Sequence, residues 1–228
     1  MIKRIAVAIS LAIVPGAFAE TYIVPDGDCG AVTLHLTRGS SFPKLGAPID
    51  ENAVEVAYVH PQKKQRITVT PAAGAIKVDV PQDEVVIMAA ADLKPVVSGN
   101  ETRTEHAKAL LFCGPKTPRA DWQRTAGNGL EIYPQGWNGP RPQLKAGDPM
   151  RFIAVDKASN KLIGDLPMKL YGAGGQLIAE GVPAEYSGMN FPYQQPGRYM
   201  VTTTYRRPDP KQPDHWLVDT SSLTFDIK

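Results

Sequence analysis

The sequence has few of the features by which an enzyme or a nucleic-acid-binding protein is usually recognised. It contains no G-x-S-x-G, no H-E-x-x-H and no phosphate-binding loop, so none of these motifs indicates a particular enzymatic reaction. Its 25 basic and 23 acidic residues nearly cancel, and without Lys3 and Arg4 the formal charge is zero. A basic footprint for nucleic acid is therefore absent. We expect a non-enzymatic protein that does not bind nucleic acid.

Cysteine is also scarce, with Cys29 and Cys113 as the two cysteines of the sequence. They do not form a C-x-x-C motif, which leaves thioredoxin-like redox chemistry without support. In an exported protein an even number of cysteines favours a disulfide, which here would join Cys29 to Cys113. The alternative is a pair of free, buried thiols.

Long apolar runs are missing except at the start of the chain. Lys3 and Arg4 precede an apolar segment at 5–14, and Ala17-Phe18-Ala19 has small residues where a signal peptidase cleaves. This pattern predicts a cleaved signal peptide over residues 1–19, with a mature chain beginning at Glu20. No later run approaches the ~20 residues of a membrane-spanning helix. We therefore expect an exported, soluble protein without a membrane span in the mature chain.

Alternation of apolar and polar residues, typical of half-buried strands, recurs along the rest of the chain. It is clear in AVTLHLT at 31–37. RITVT and IKVDV, separated by PAAGA, predict a hairpin, and LPMKLYGAGGQLIAEG predicts another with its turn near Gly172–Gly175. Many short strands at close spacing predict an all-β sandwich fold.

The segment RTEHAKALLFCG at 103–114 has residues of high helix propensity, but it is too short for a stable isolated helix. We predict that it forms a strand, because it lies among strands. Alternation then places His106 and Lys108 on an outer face. The buried face would carry Glu105, Ala107, Ala109, Leu111 and Cys113.

A segment rich in proline, glycine and polar residues, GPKTPRADWQRTAGNG, divides the chain near 119–128. We predict an N-terminal β-sandwich domain over residues 20–118 and a C-terminal immunoglobulin-like β-sandwich domain over residues 129–228. In the second half, PGRYMVTTTY and HWLVDTSSLTF alternate as sandwich strands do. The predicted fold is all-β, with two immunoglobulin-like β-sandwich domains after a cleaved signal peptide.

The histidines are scattered, and none is spaced as H-x-x-x-H. A metal site would have to be built across strands. Alternation places His106 and His35 off the buried faces of their strands, so these two are the candidate ligands for Ni, Co, Cu or Zn. The alternative is a set of unrelated surface histidines, because strong metal sites usually show clustered ligands.

A second candidate site is the loop EYSGMNFPYQQPG, as a ligand or partner loop. Aromatic residues on a loop can stack on a sugar or on a partner protein. The alternative is a loop packed over its own core. Met150 and Met168, in contrast, lie among apolar strand residues and are expected in the core. The loop residues concerned are Tyr186, Met189, Phe191 and Tyr193.

Several segments resemble an uncharacterised family of exported bacterial proteins that is grouped with the nickel-uptake (NikM-like) periplasmic domain. The resemblance is carried by LEIYPQGWN, LKAGDPMRFIAVDK, LIGDLPMKLYGAGG, PGRYMVTTTY and HWLVDTSSLTF, with TEHAKALLF similar to the strand before the linker. It implies a β-rich periplasmic binding or accessory protein that assists uptake of a transition metal or a metal carrier. It also implies a partner in the envelope, either a transporter or an outer-membrane receptor.

Members of that family often begin the mature chain with a histidine, whereas this mature chain would begin ETYIVP at Glu20. An amino-terminal metal chelate is therefore not implied here. Two alternatives from other classes stay open. One is a structural or protein-interaction module of the envelope without a small ligand, and the other is a carbohydrate-binding module that uses the aromatic loop.

Overall fold

A computed structural model describes residues 20–27, 31–49, 54–60, 63–69, 72–79, 86–112, 129–135, 145–183 and 188–227. The regular elements in these ranges are all β-strands, which confirms the predicted all-β class. Within the same ranges, the structure contains no helix that is both long and apolar enough to cross a membrane.

The described strands have two to twelve residues, and β9, β16 and β17 are the longest of them. In chain order they are β1 (Glu20–Asp26), β2 (Ala31–Gly39), β3 (Ala47–Pro48), β4 (Val54–His60), β5 (Lys63–Val69), β6 (Ala75–Asp79), β7 (Val86–Asp92), β8 (Val96–Ser98), β9 (Glu101–Phe112), β10 (Leu130–Gln135), β11 (Pro149–Asp156), β12 (Lys161–Ile163), β13 (Met168–Tyr171), β14 (Leu177–Gly181), β15 (Met189–Pro192), β16 (Gly197–Pro208) and β17 (Trp216–Ile227).

These strands form three sheets. The first sheet has the order β1-β2-β3, with β6 also pairing with β2. The central sheet has nine strands in the order β14-β13-β16-β17-β9-β7-β4-β5, with β8 also pairing with β9. The third sheet has the order β10-β11-β12, with β15 pairing with β11. Among the described pairs, β9 with β17 is the parallel one, and it aligns Glu101 with Trp216 and Leu110 with Phe225.

The central sheet lies between the other two, because its opposite faces contribute to two different cores. On one face, Ala107, Ala109 and Leu111 of β9 pack with apolar residues of the first sheet such as Leu34. On the other face, Leu110 packs with residues of the third sheet such as Ile132 and Phe152. Residues 106–112 of β9 are therefore buried on both faces, as expected for a strand in the middle layer.

Most of the predicted strands are present, and the segment with high helix propensity is strand β9. The predicted hairpin around the Gly172–Gly175 turn is confirmed as β13 and β14. The hairpin predicted across PAAGA is wrong, since β5 pairs with β4 and β6 pairs with β2 in a different sheet. Ile76 and Val78 explain the difference, because both are buried in the first-sheet core that β2 helps to form.

Several of the predictions concern residues outside the described ranges, namely the signal peptide at 1–19, Cys29, Cys113 and the boundary at 119–128. The division into two domains stays a prediction. The central sheet takes strands from both sides of that boundary, with β9 before it and β17 after it.

Candidate functional site

The strand β9 carries two charged side chains into the space between the central and third sheets. His106 is 8% exposed and Lys108 is 3% exposed, so the predicted outer face of this strand is wrong. Alternation assigned the two residues to a common face correctly, but the third sheet covers that face. Glu105, predicted to be buried, is instead the more exposed neighbour, and its carboxylate lies 2.8 Å from the Arg38 guanidinium.

His106 lies between two carboxylates that come from the strands on either side of β9. Its Nδ1 is 2.7 Å from Oδ1 of Asp92, at the end of β7. Its Nε2 is 3.5 Å from Oδ1 of Asp219, on β17. Asp219 also forms an ion pair with Arg207 of β16. The four side chains therefore form a line of alternating charge across four neighbouring strands of the central sheet.

This arrangement fixes the charge of the imidazole. Burial lowers the pKa of His106, but the carboxylates of Asp219 and Asp92 outweigh burial and raise its pKa to about 9. Burial raises the pKa of Asp219, but His106 and Arg207 outweigh it and hold that pKa below its usual value. At neutral pH His106 is therefore a charged imidazolium that is hydrogen-bonded to Asp92 and lies 3.5 Å from Asp219.

A second buried ion pair involves Lys108, which lies two residues after His106 on β9. The Lys108 ammonium binds the Glu131 carboxylate of β10, and both side chains are about 95% buried. The same ammonium lies 4.6 Å from the ring centroid of Tyr133. Burial lowers the pKa of Lys108 and raises the pKa of Glu131, because it penalises both charged forms. This pair joins the central sheet to the third sheet.

Gly129, just before β10, lies against the imidazole of His106, where a Cβ atom would come within 1.8 Å of Cε1. A cavity of about 10 Å³ lies between the two ion pairs. We call the charged residues that line this cavity, together with the ion-paired Asp219 and Arg207 beside His106, the buried polar cluster. Its members are Asp92, His106, Lys108, Glu131, Arg207 and Asp219.

The candidate metal ligands do not come together. His35 lies on the face of β2 that points away from the first-sheet core, with its Nε2 3.9 Å from Asp26. His106 lies on the far side of the central sheet, so that core and the sheet separate the two imidazoles. In the ranges that the structure describes, no group of three His, Cys, Asp or Glu side chains is placed to hold a metal ion.

The candidate aromatic loop contains a short strand, and two of its aromatic side chains are packed into the core. Met189–Pro192 forms β15, Phe191 is fully buried with its ring 6.1 Å from that of Phe152, and Tyr193 is also buried. Met189 is half-buried, and Tyr186 lies outside the described ranges. For Phe191 and Tyr193 the alternative of a segment packed over its own core is confirmed. The core positions predicted for Met150 and Met168 are confirmed as well, since both are fully buried.

The charged partners of His106 and Lys108 were not predicted from the sequence. One signal for them was available, because Asp219 alternates in register with Leu223 and Phe225, which form the buried face of β17. Glu131, between Leu130 and Ile132 in a short apolar strand, is a similar case. A charged residue on an apolar strand face is expected to have an opposite charge beside it.

One end of the central sheet extends beyond both cores and is exposed. There, β8 presents Val96 at 61% and Val97 at 69% exposure. Beside it, the Arg206 guanidinium lies 3.6 Å from the ring centroid of Trp216, and its Nε lies 3.3 Å from Glu101. We call this region the free sheet end. Its residues are Val96–Ser98, Glu101, Arg103, Arg206 and Trp216.

No family model matches the sequence, and no curated protein matches it. Among solved structures, the chain is similar to a crystal structure of native alpha-2-macroglobulin from Escherichia coli spanning domains NIE-MG1. The two are 8% identical, and the match covers 86% of this chain and 95% of that chain with a TM-score of 0.23. A similarity at this level carries no argument about the function of the chain.

Proposed function

We propose that this protein is a non-enzymatic accessory protein of the periplasm that acts by binding another protein along its free sheet end. The observation that carries the proposal is the exposure of Val96 and Val97 on β8, a strand that among the described residues pairs with β9 alone. Adjacent exposed apolar side chains on an edge strand favour contact with a partner, because each contact removes apolar surface from water.

The backbone of β8 supports binding by strand addition. β8 aligns Val96 with Arg103 and Ser98 with Glu101, so one of its edges is used by β9. The neighbouring strand β4 pairs with β7, and the pairing ends where Val54 of β4 aligns with Ala91 of β7. The other edge of β8 therefore extends past the described end of β4. An extended segment of a partner can donate and accept backbone hydrogen bonds along such an edge.

The charges around β8 favour a particular chemistry in the partner. Lys94, just before β8, is exposed, and Arg103 beside Val96 has a half-exposed side chain. Glu101 is already bound by Arg103 and Arg206. An extended segment with apolar residues for Val96 and Val97 and an acidic residue for Lys94 would complement this surface.

Periplasmic location and an envelope partner complete the proposal. Export is supported by the leader pattern of residues 1–19, with its positive residues, apolar segment and small residues before Glu20. A transporter or an outer-membrane receptor fits the role of an accessory protein. A role in transition-metal uptake would have to use ligands other than the pair His35 and His106.

Site-specific photo-crosslinking in the producing cells tests the proposal. A photoreactive amino acid at position 97 is expected to give a discrete covalent adduct with one envelope protein. Position 162 is the matched control, since Leu162 is also an exposed apolar strand residue, at 46%, but lies on the third sheet. Val97→Asp should abolish the same complex, and Leu162→Asp should leave it intact. Equal adducts at both positions, or none at position 97, would contradict the proposal.

A further inference from the structure

We infer that the cavity in the buried polar cluster binds one water molecule, which bridges Nε2 of His106 and Oε2 of Glu131. Both residues line the cavity. Both atoms are buried, and neither has a hydrogen-bond partner among the described residues. Their ion-pair contacts, to Asp219 at 3.5 Å and to Lys157 at 3.9 Å, are too long for good hydrogen bonds. Two buried polar atoms without hydrogen-bond partners, on residues that line the same cavity, indicate a shared bound partner.

The volume of the cavity selects a very small ligand. It measures about 10 Å³, which is close to the space that one water molecule requires. Ala90 and Ala107 contribute small side chains to its walls, and Ser221 adds a hydroxyl group. A bound water usually makes two to four hydrogen bonds, and Nε2 of His106 and Oε2 of Glu131 provide two partners.

The charges of the lining select a neutral ligand that can both donate and accept. His106 is an imidazolium at neutral pH, so its Nε2–H is a donor, while the Glu131 carboxylate is an acceptor. A water molecule accepts from the first and donates to the second. A bound cation would be repelled by the positive charges of His106 and Lys108. A bound anion would be repelled by the carboxylates of Glu131 and Asp92. Water avoids both repulsions.

The bridge would connect the two ion pairs into one hydrogen-bonded network. His106 is held by the central sheet, whereas Glu131 belongs to β10 of the third sheet. The water would therefore form part of the contact between the two sheets, in a place where neither side chain satisfies the other directly. Such buried waters are structural components that are costly to remove.

A crystal structure of the mature protein gives the direct test. We expect one density peak about 3 Å from both Nε2 of His106 and Oε2 of Glu131. A peak about 2.0–2.2 Å from carboxylate oxygens would indicate a metal ion instead and would overturn the inference. A well-ordered map without a peak between the two atoms would overturn it too.

Solution NMR with a cavity-filling variant gives the second test. In the unaltered protein, the ring Nε2–H of His106 should show a nuclear Overhauser effect to a long-lived water. Ala90→Val should fill the cavity and abolish this signal. Ala89→Val is the matched control, because Ala89 is equally buried on the same strand but faces the other core. Persistence of the signal in Ala90→Val, or its loss in both variants, would contradict the assigned position. If Ala90→Val does not fold, the crystallographic test decides alone.

Discussion

Gly129 lies so close to His106 that a Cβ atom on Gly129 would come within 1.8 Å of the imidazole Cε1 and 2.4 Å of Nδ1. The lack of a side chain therefore allows the start of β10 to approach β9. Gly129 immediately precedes β10, a strand of the third sheet that packs against the central sheet. The imidazole is fixed by carboxylates on two sides, so it cannot move aside freely.

Replacement of Gly129 by alanine is expected to destabilise the fold. Overpacking of a well-packed site costs about 1–3 kcal/mol, and the ring of His106 is the group that must move. Urea denaturation measures the change in the free energy of unfolding. Gly174→Ala is the control, because the Cβ there would meet only the flexible end of the Gln176 side chain.

A double-mutant cycle identifies the imidazole as the cause. In a His106→Ala background, Gly129→Ala should cost much less than in the unaltered protein, because the clashing ring is gone. Additive effects of the two substitutions would show that another contact is responsible.

The buried imidazolium makes stability depend on pH above neutrality. The pKa of His106 in the folded protein, about 9, lies above its ordinary value of 6.5, so protonation favours the folded state. This contribution, on the order of 3 kcal/mol, is fully present below pH 6.5 and is lost as the pH rises through 9. Denaturation between pH 6 and pH 10 measures it.

The control for this pH dependence is His106→Gln, which retains hydrogen-bonding capacity but does not titrate. The loss of stability between neutral and alkaline pH should be smaller in this variant than in the unaltered protein. NMR titration of the His106 ring should place its midpoint near 9. A midpoint near 6.5, or equal pH dependence in both proteins, would contradict the prediction.

The buried Lys108–Glu131 pair should be sensitive to the loss of one partner and tolerant of the loss of both. Lys108→Met leaves the Glu131 carboxyl group buried without its ammonium, which is expected to cost about 3–5 kcal/mol. The double variant Lys108→Met with Glu131→Leu should recover most of that loss, since an apolar pair needs no desolvation of charge.

Chemical denaturation of the single and double variants measures this effect. The exposed pair Lys169 and Glu180, 3.8 Å apart, provides the control, and Lys169→Met should cost less than about 1 kcal/mol. A double variant that is less stable than Lys108→Met alone would contradict the prediction, because an apolar pair would then stabilise the fold less than the buried Glu131 carboxyl group without its partner.

The Cys29–Cys113 disulfide stays a prediction, since both residues lie outside the described ranges. Closure of a loop of about 80 residues would stabilise the protein by about 4 kcal/mol in the chain-entropy model. Thiol titration of the unfolded, unreduced protein should find no free cysteine. Detection of two thiols would support the alternative of a free pair.

The two-domain prediction can be tested with a fragment that begins at Gly129. Limited proteolysis is expected to cut first at 119–128. The two-domain prediction requires the released fragment to unfold cooperatively by itself, although the fragment lacks β9, the neighbour of β17, and the core residues Met88 and Leu110. Circular dichroism during heating measures this. A fragment that unfolds cooperatively alone would support two independent domains, and recovery on mixing with residues 20–118 would support one unit.

Much of the strand content could be predicted from the sequence because alternation is a local property. In β2, Val32, Leu34 and Leu36 are buried and alternate as predicted. In β17, Leu223 and Phe225 occupy the face assigned to them. An alternating pattern of this kind indicates which face of a strand is buried, and it can be interpreted without knowing which strand is the partner.

The burial of His106 and Lys108 could not be predicted in the same way, because it depends on residues far away in the chain. Alternation marks polar positions as exposed, whereas here Asp92, Asp219 and Glu131 provide the opposite charges that make burial acceptable. Strand partners are also non-local, which is why β5 and β6, adjacent in the chain, belong to different sheets.

The parallel pairing of β9 with β17 has a consequence for the order in which the protein can be made. The two strands are far apart in the chain, yet β17 lies in the interior of the central sheet between β9 and β16. During synthesis, β9 leaves the ribosome long before its neighbour exists, and the central sheet cannot close until β17 has emerged. A fold that depends on such a distant contact forms slowly. The central sheet of the nascent chain would therefore stay incomplete while most of the chain is synthesised.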